Sequence, residues 1–455
     1  MEFVQANPPP LPPLHRQATN LGLLLHRTET AEHPCVPCFY FTLKGDPPLV
    51  DVQRRVLEAL CKFHRWRSVL VGGTFVDDRT SFDIEEHVRE ISQEEFGAPL
   101  NMDGLKAYLE RRFTAPLDPS RPMWSFDLVR GFAFGTVVIA RVHHVIVDGT
   151  AGTLMLGAMS DEAQAGCLVK MSKEEIERKI GEVKARSLGG CGPVGLCVGA
   201  GRVLCRYAAD LLRAEPPSPF RGNTGIGRSI AWAAVDAHAS IGAARARGCT
   251  FNDLWMSCLC FAMGEYMRAR GWPTEKVHLT AGLPVSLHSP ILPPEVGNEV
   301  GNRFGFLVVQ LPLGKFDGAG SGREERLQAV HETLMAAKRT PEPLVSHSLV
   351  HCAGCLPEPV VHCALRRAGN ARTSVILSNV RGPPDALHIG GMALGELFGF
   401  LPTPAGVGLG VGIGTYAGSA ALSITCDRAL LGDGANELLA SMLAEHAMYC
   451  APPTE

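Results

Sequence analysis

Apolar spacing divides the chain into two stretches that each mix strands with helices. Alternating residues around Cys38–Thr42 predict a strand, whereas Val52, Val56, Leu57, Leu60 and Phe63 fall on one stripe and predict a helix over Val50–Phe63. Met102–Phe113 has the same helical spacing. Trp124–Arg130 and Gly135–Val142 read as strands separated by a turn at Gly131, and Thr150–Ala163 reads as a helix. In the second half the pattern predicts strands at Ser229–Val235, His278–Val285, Phe304–Leu311, Ser374–Val380 and Gly408–Thr425. Helices are expected over Phe251–Arg270, Glu324–Arg339, Val360–Ala368 and Asn436–Met448.

Between the halves the character changes. MSKEEIERKIGEVKARS is a charged helical segment, GGCGPVG is glycine-rich, and EPPSPFRGNTGIG reads as extended. No internal repeat appears. The expected organisation is therefore an α/β (α+β) fold of two lobes, residues 1–160 and 228–455, joined by a crossover over 161–227.

Composition narrows the class of function. The 455 residues are 46% hydrophobic and 20% charged, enough for a packed core and too apolar for a disordered chain. With 43 Lys and Arg against 46 Asp and Glu, the net charge of -3 gives no basic excess for nucleic acid. The 15 cysteines are odd in number and irregularly spaced, and the N-terminus has no basic start followed by an apolar run. Both point to free thiols in a reducing, cytoplasmic setting. Leu397–Cys426 carries no charge, but Pro402, Pro404 and its many glycines fit buried strands and turns better than a membrane span. Arg202–Arg213 could form an amphipathic helix, packed on its own domain or resting on a lipid surface.

The chemistry concentrates in TVVIARVHHVIVDGTAGTLML, residues 136–156. An apolar strand leads into His143-His144, and Asp148-Gly149 turns the chain into a helix. Neighbouring strand residues face opposite sides, so only one of the two imidazoles can enter a given cleft. An imidazole titrates near neutrality and suits general-base work, a carboxylate four residues on can fix local geometry, and Gly149 allows a tight turn.

HHVIVDG (143–149) resembles the HHxxxDG signature of the acyltransferase superfamily that includes chloramphenicol acetyltransferase and peptide-synthetase condensation domains. FDIEEHV (82–88), PLDPSRPMW (116–124), FNDLWMS (251–257), GNRFGFLVVQLPLG (301–314), SNVRGPP (378–384) and TYAGSAALSITCDR (415–428) resemble, in the family's order, blocks of the wax ester synthase/diacylglycerol acyltransferase family. The resemblance implies a chloramphenicol-acetyltransferase-like fold of mixed sheets with a tunnel between the lobes. Long-chain acyl-CoA and a fatty alcohol or diacylglycerol would enter it from opposite sides. It makes His144 the general base, His143 a secondary motif residue and Asp148 a structural, orienting one. Gly149, Asn252, Asp253, Ser378 and Asn379 are expected near the substrates, with Ser378 a candidate oxyanion donor by family position. The resemblance implies no bound cofactor and no metal, only acyl-CoA as co-substrate. A lipid membrane or droplet surface would be the peripheral partner. A relative acylating another alcohol or amine, and a non-catalytic lipid-binding protein, are the competing readings.

Two further patterns deserve weighing. His347, His351, Cys352, Cys355, His362 and Cys363 could bind zinc, though their spacing also suits two short helices. In VGLGVGIG (407–414) the glycines 408, 410, 412 and 414 share one strand face. Either a closely packed element fills that bare face, or Gly410 and Gly412 floor the tunnel and leave room for a substrate chain.

Overall fold

The computed structural model describes residues 16–77, 82–164, 193–212, 217–274, 279–287, 301–313, 322–353, 356–365 and 372–451. Two six-stranded mixed sheets form the two lobes, with a small three-stranded sheet beside the first. The first sheet runs, in spatial order, His388–Ile389, Met392–Phe400, Cys38–Leu43, Gly135–Val142, Trp124–Phe132 and Val88–Glu90. The second runs Phe304–Leu311, Leu279–Ser286, Val375–Arg381, Leu409–Tyr416, Ser419–Asp427 and Arg228–Asp236.

The expected division into lobes needs one correction. Strand Met392–Phe400 belongs by sequence to the second lobe, yet it pairs antiparallel with Cys38–Leu43 in the sheet of the first. The chain then returns to the second sheet through 401–407. The predicted strand 408–425 is two strands, Leu409–Tyr416 and Ser419–Asp427, closed by a two-residue turn at Ala417 and Gly418 with φ of 46° and 79°. The predicted helix 150–163 is also two: Gly149–Ala158, then Asp161–Gln164, where Ser160 Oγ accepts from Ala163 N at 3.2 Å and restarts the helix. The charged segment 171–187 lies outside the described residues.

The second lobe is built around helix Phe251–Ala269, which is apolar on nearly all sides and buried accordingly. Helices Arg323–Lys338 and Ala435–Cys450 pack on it. Thr250 and Asp253 close a reciprocal capping box at its start. The first lobe has apolar clusters on both faces of its sheet. One of these reaches across the seam: Trp232 of the second sheet meets Tyr40 edge-on at 5.5 Å and Phe400 at 5.6 Å. A buried polar junction crosses at another point, where Arg228 bonds Asp427 Oδ2 at 2.7 Å and donates to His33 Nδ1 at 2.7 Å.

Candidate active site

Between the lobes lies a cavity of about 330 Å³. Phe41, Leu60, Trp66, Phe126, Ala140 and Met155 line its reach into the first lobe. Phe306, Ile376, Ser378, Leu401, Gly412 and Gly414 line the other side. The wall beside Trp66 comes from two blocks noted in the sequence. His87 of FDIEEHV stacks on Trp124 of PLDPSRPMW at 4.4 Å, and Trp124 Nε1 donates to the Trp66 carbonyl at 2.6 Å.

His144 sits on the cavity wall, half-buried, just beyond the end of strand Gly135–Val142. Its backbone N donates to the Cys35 carbonyl at 2.9 Å, and the chain turns back through Ile146 N to the His143 carbonyl at 3.0 Å. The ring is held from the other lobe. Asn302 Nδ2 donates to the His144 carbonyl, which fixes the orientation of the amide, and Asn302 Oδ1 then faces His144 Nδ1 at 2.8 Å. An amide oxygen only accepts, so Nδ1 carries the proton and Nε2 keeps its lone pair. Burial pushes the His144 pKa below its ordinary value, against opposing contributions from Asp148 and Asn302. The ring is therefore neutral near pH 7 and can accept a proton at Nε2.

His143 faces the opposite way and is buried. Its Nδ1 accepts from Val145 N at 2.9 Å, so Nε2 bears the proton and donates to Glu29 Oε2 at 3.0 Å. Burial raises the Glu29 pKa, but the hydrogen bonds of His143, His26 and Cys35 N outweigh it and bring the carboxyl to about 2. His26, Glu29 and His143 lie close enough for a metal. With His143 Nδ1 already accepting, however, ligation through Nε2 would demand an imidazolate, so the donor set suits a hydrogen bond from neutral His143 to the Glu29 carboxylate better.

Asp148 caps helix Gly149–Ala158 by accepting from Ala151 N at 2.9 Å. Its other oxygen accepts from Arg303 N of the second lobe at 3.0 Å. It is thus a helix cap and an inter-lobe tie at once. Gly149 lines the cavity, but not for the reason expected, since its φ is not positive. A Cβ there would stand 3.1 Å from Val380 Cγ2, so the glycine serves close approach of the two lobes.

The remaining candidates divide. Ser378 and Asn379 line the cavity. Asn252 touches it only through Asn379, whose Nδ2 donates to Asn252 Oδ1. Asp253 points elsewhere, and its expected substrate contact is corrected: fully buried, it accepts from Thr250 N at 2.8 Å and pairs with His331 Nδ1 at 2.7 Å. Gly412 borders the cavity and Gly410 does not, because Leu401 and Thr403 cover it. In the stretch considered for zinc, His347 bonds the Phe304 carbonyl and His351 bonds Asn20, while the Cys355 residue and the His362 side chain lie outside the description. Asn302 and Glu29 were missed by sequence reasoning. Asn302 stood inside the noted block 301–314, but its partner is 158 residues away and no periodicity links them.

The sequence profile of the wax ester synthase/diacylglycerol acyltransferase catalytic domain matches residues 46–255, and that of the WS/DGAT C-terminal domain matches 300–445. The chain belongs to this family. A Mycobacterium tuberculosis H37Rv protein provisionally named a diacylglycerol O-acyltransferase is 24% identical over 380 residues, covering 79% of this chain and 73% of its own. A second protein of that strain with the same provisional name is 24% identical over 395 residues, 80% of each. Among solved structures, the wax ester synthase/diacylglycerol acyltransferase from Marinobacter aquaeolei VT8 aligns with a TM-score of 0.65 and 16% identity, over 95% of this chain and 99% of its own. The first condensation domain of the calcium-dependent antibiotic synthetase aligns with a TM-score of 0.60 and 14% identity, over 96% of each. At such identities these two establish the shared fold. The chain is an O-acyltransferase of the wax ester synthase/diacylglycerol acyltransferase type and shares the fold of these structures.

Proposed function

We propose that the protein moves a long-chain fatty acyl group from acyl-CoA to a fatty alcohol or diacylglycerol, with His144 as general base. The observation that carries this reading is a neutral imidazole whose lone-pair nitrogen is left free on the wall of a largely apolar cavity. His144 Nε2 takes the acceptor's hydroxyl proton as that oxygen attacks the thioester carbonyl. The tetrahedral intermediate collapses, the C–S bond breaks, and the departing sulfur receives the proton back from Nε2, so ester and free thiol leave without an acyl-enzyme. Ser378, from the opposite wall, is the candidate donor to the oxyanion.

Substrates with long chains partition into lipid, so the enzyme works peripherally at a membrane or droplet surface. Among the described residues no helix is long and apolar enough to cross a membrane. Incubation of the purified protein with palmitoyl-CoA and either hexadecanol or diacylglycerol tests the assignment through the ester that forms. Release of free CoA without either ester would transfer the reading to another acceptor. Carbonate extraction should strip the protein from membranes.

A further inference from the structure

The tripeptide Gly301-Asn302-Arg303 is the second lobe's grip on the catalytic turn, and it meets the first lobe at three points. Asn302 holds the ring and the carbonyl of His144, and Arg303 N donates to Asp148. The third point is Arg65, in the short 3₁₀ turn His64–Trp66. A Cβ on Gly301 would lie 2.5 Å from Arg65 Nη1 and 3.0 Å from both Cζ and Nη2, so only a glycine lets this backbone rest on the guanidinium. The guanidinium also lies over the Phe75 ring, 5.2 Å from the centroid.

This arginine is an unusual choice for a buried spacer. It is 8% exposed, and its Nε and Nη1 have no hydrogen-bond partner among the described residues. Burial and the charge of Arg16 pull its pKa down to about 10. Neighbouring His64 is buried, with both ring nitrogens unpartnered among the described residues, and burial with the Arg65 charge lowers its pKa to about 4, so it stays neutral and adds no second positive charge. The carboxylate of Asp77 is engaged by Arg67 at 3.1 Å. For filling space alone, an apolar side chain of similar volume would cost less. What an apolar chain lacks is a rigid plane that can stack on both faces.

We infer that Arg65 is a positioning residue: held against Phe75 and Gly301, its guanidinium plane sets the height of the tripeptide and keeps Asn302 Oδ1 on His144 Nδ1, selecting the tautomer whose Nε2 accepts the proton. A displacement of about 1 Å at such a support can cost on the order of 100-fold in rate. The inference rests on the acyl-transfer reading for its kinetic arm alone.

The test uses the full chain labelled with ¹⁵N-histidine, the His144 signals being assigned by their loss in His144→Ala. Wild type should give one tautomer, protonated at Nδ1. Arg65→Met should melt no lower than wild type, because an unpaired buried cation is removed, yet its His144 signals should show mixed tautomers. Its kcat should fall at least about tenfold while KM for both substrates stays within about twofold. Arg65→Lys keeps the charge without the plane and should not rescue. If Arg65→Met does not fold, Gly301→Ala disturbs the same contact from the other side, with the same expected split. A folded variant with the wild-type tautomer pattern, or with unchanged kcat, overturns the inference, as does a wild type already mixed. Mixed tautomers in the variants of a protein that turns over no acyl-CoA would fault the function and leave the inference standing.

Discussion

Two adjacent imidazoles have opposite surroundings, and substitution should separate them. His144→Ala removes the only ring nitrogen of the pair that faces the cavity, and initial rates should fall by about 10²–10⁴-fold. His143→Ala instead removes one of the three donors to the Glu29 carboxylate and leaves Val145 N without its acceptor, which should appear as a lowered melting temperature worth about 1–3 kcal/mol, with a smaller rate loss while the protein stays folded. A His143 variant as inactive as the His144 variant at full stability would refute this division. Asp148→Asn can keep one of its two accepted bonds, but its amide NH₂ then opposes the other backbone donor. A loss of about 1–3 kcal/mol in a thermal melt is expected, and an unchanged melt would deny the tie its structural role. The family motif made His144 and Asp148 legible, and the cap at Asp148 is a local rule; alternation did not choose between the histidines, since the strand ends at Val142 before either of them. Asn302 and Glu29 were not legible, because each acts across a tertiary contact that leaves no local pattern.

At the scale of elements, the glycine strand shows how far period two can be trusted. Gly410, Gly412 and Gly414 do share a face of Leu409–Tyr416, as alternation requires, with Gly408 just before it, and what fills that face is mostly protein. A Cβ at Gly408 would meet the Phe220 carbonyl at 2.9 Å, and one at Gly410 the Thr403 side chain at 3.1 Å. At Gly412 it would collide with the Gly399 carbonyl at 2.7 Å, where Ser423 Oγ also bonds. The segment 399–403, returning from the first sheet, is the closely packed element. Its presence could not be read from the sequence because strand Met392–Phe400 pairs so far from its own lobe. Gly414 differs, since its nearest neighbour would be the Val380 carbonyl at an ordinary 3.8 Å and it lines the cavity. Gly412→Leu should therefore lower the melting temperature and slow all chain lengths alike. Gly414→Leu should leave a folded enzyme that discriminates against longer chains, measured as kcat/KM across an acyl-CoA series. The reverse assignment of the two phenotypes would mean that the bare face belongs to the substrate at 412.

For the whole molecule, the two-lobed α/β organisation was readable from the order of periodic segments. The exchange of strand Met392–Phe400 and the seam through Trp232 and Tyr40 were not, since both depend on how the lobes dock. That docking buries titratable groups, and their shifts carry a prediction for the entire fold. His33, His87, His144 and His446 all have pKa values lowered chiefly by burial, and His64 is brought to about 4. As pH falls below about 6.5, the unfolded chain binds protons on these rings that the native protein refuses. The unfolded state then holds more protons, so stability rises with pH and falls on acidification. For His64 alone the shift amounts to on the order of 3 kcal/mol once the pH is below about 4. Glu29 acts in the same direction: with its carboxyl at about 2, the stability it contributes above the ordinary carboxylate range is lost as the pH falls from about 4.5 toward 2. Thermal melts should therefore decline steadily from pH 7 to pH 4, most steeply below 6.5. His64→Leu, which replaces a buried ring without hydrogen-bond partners, should flatten that slope. Melting temperatures that stay level between pH 7 and 5, or a His64→Leu slope equal to wild type, would show that these rings are protonated in the native state after all.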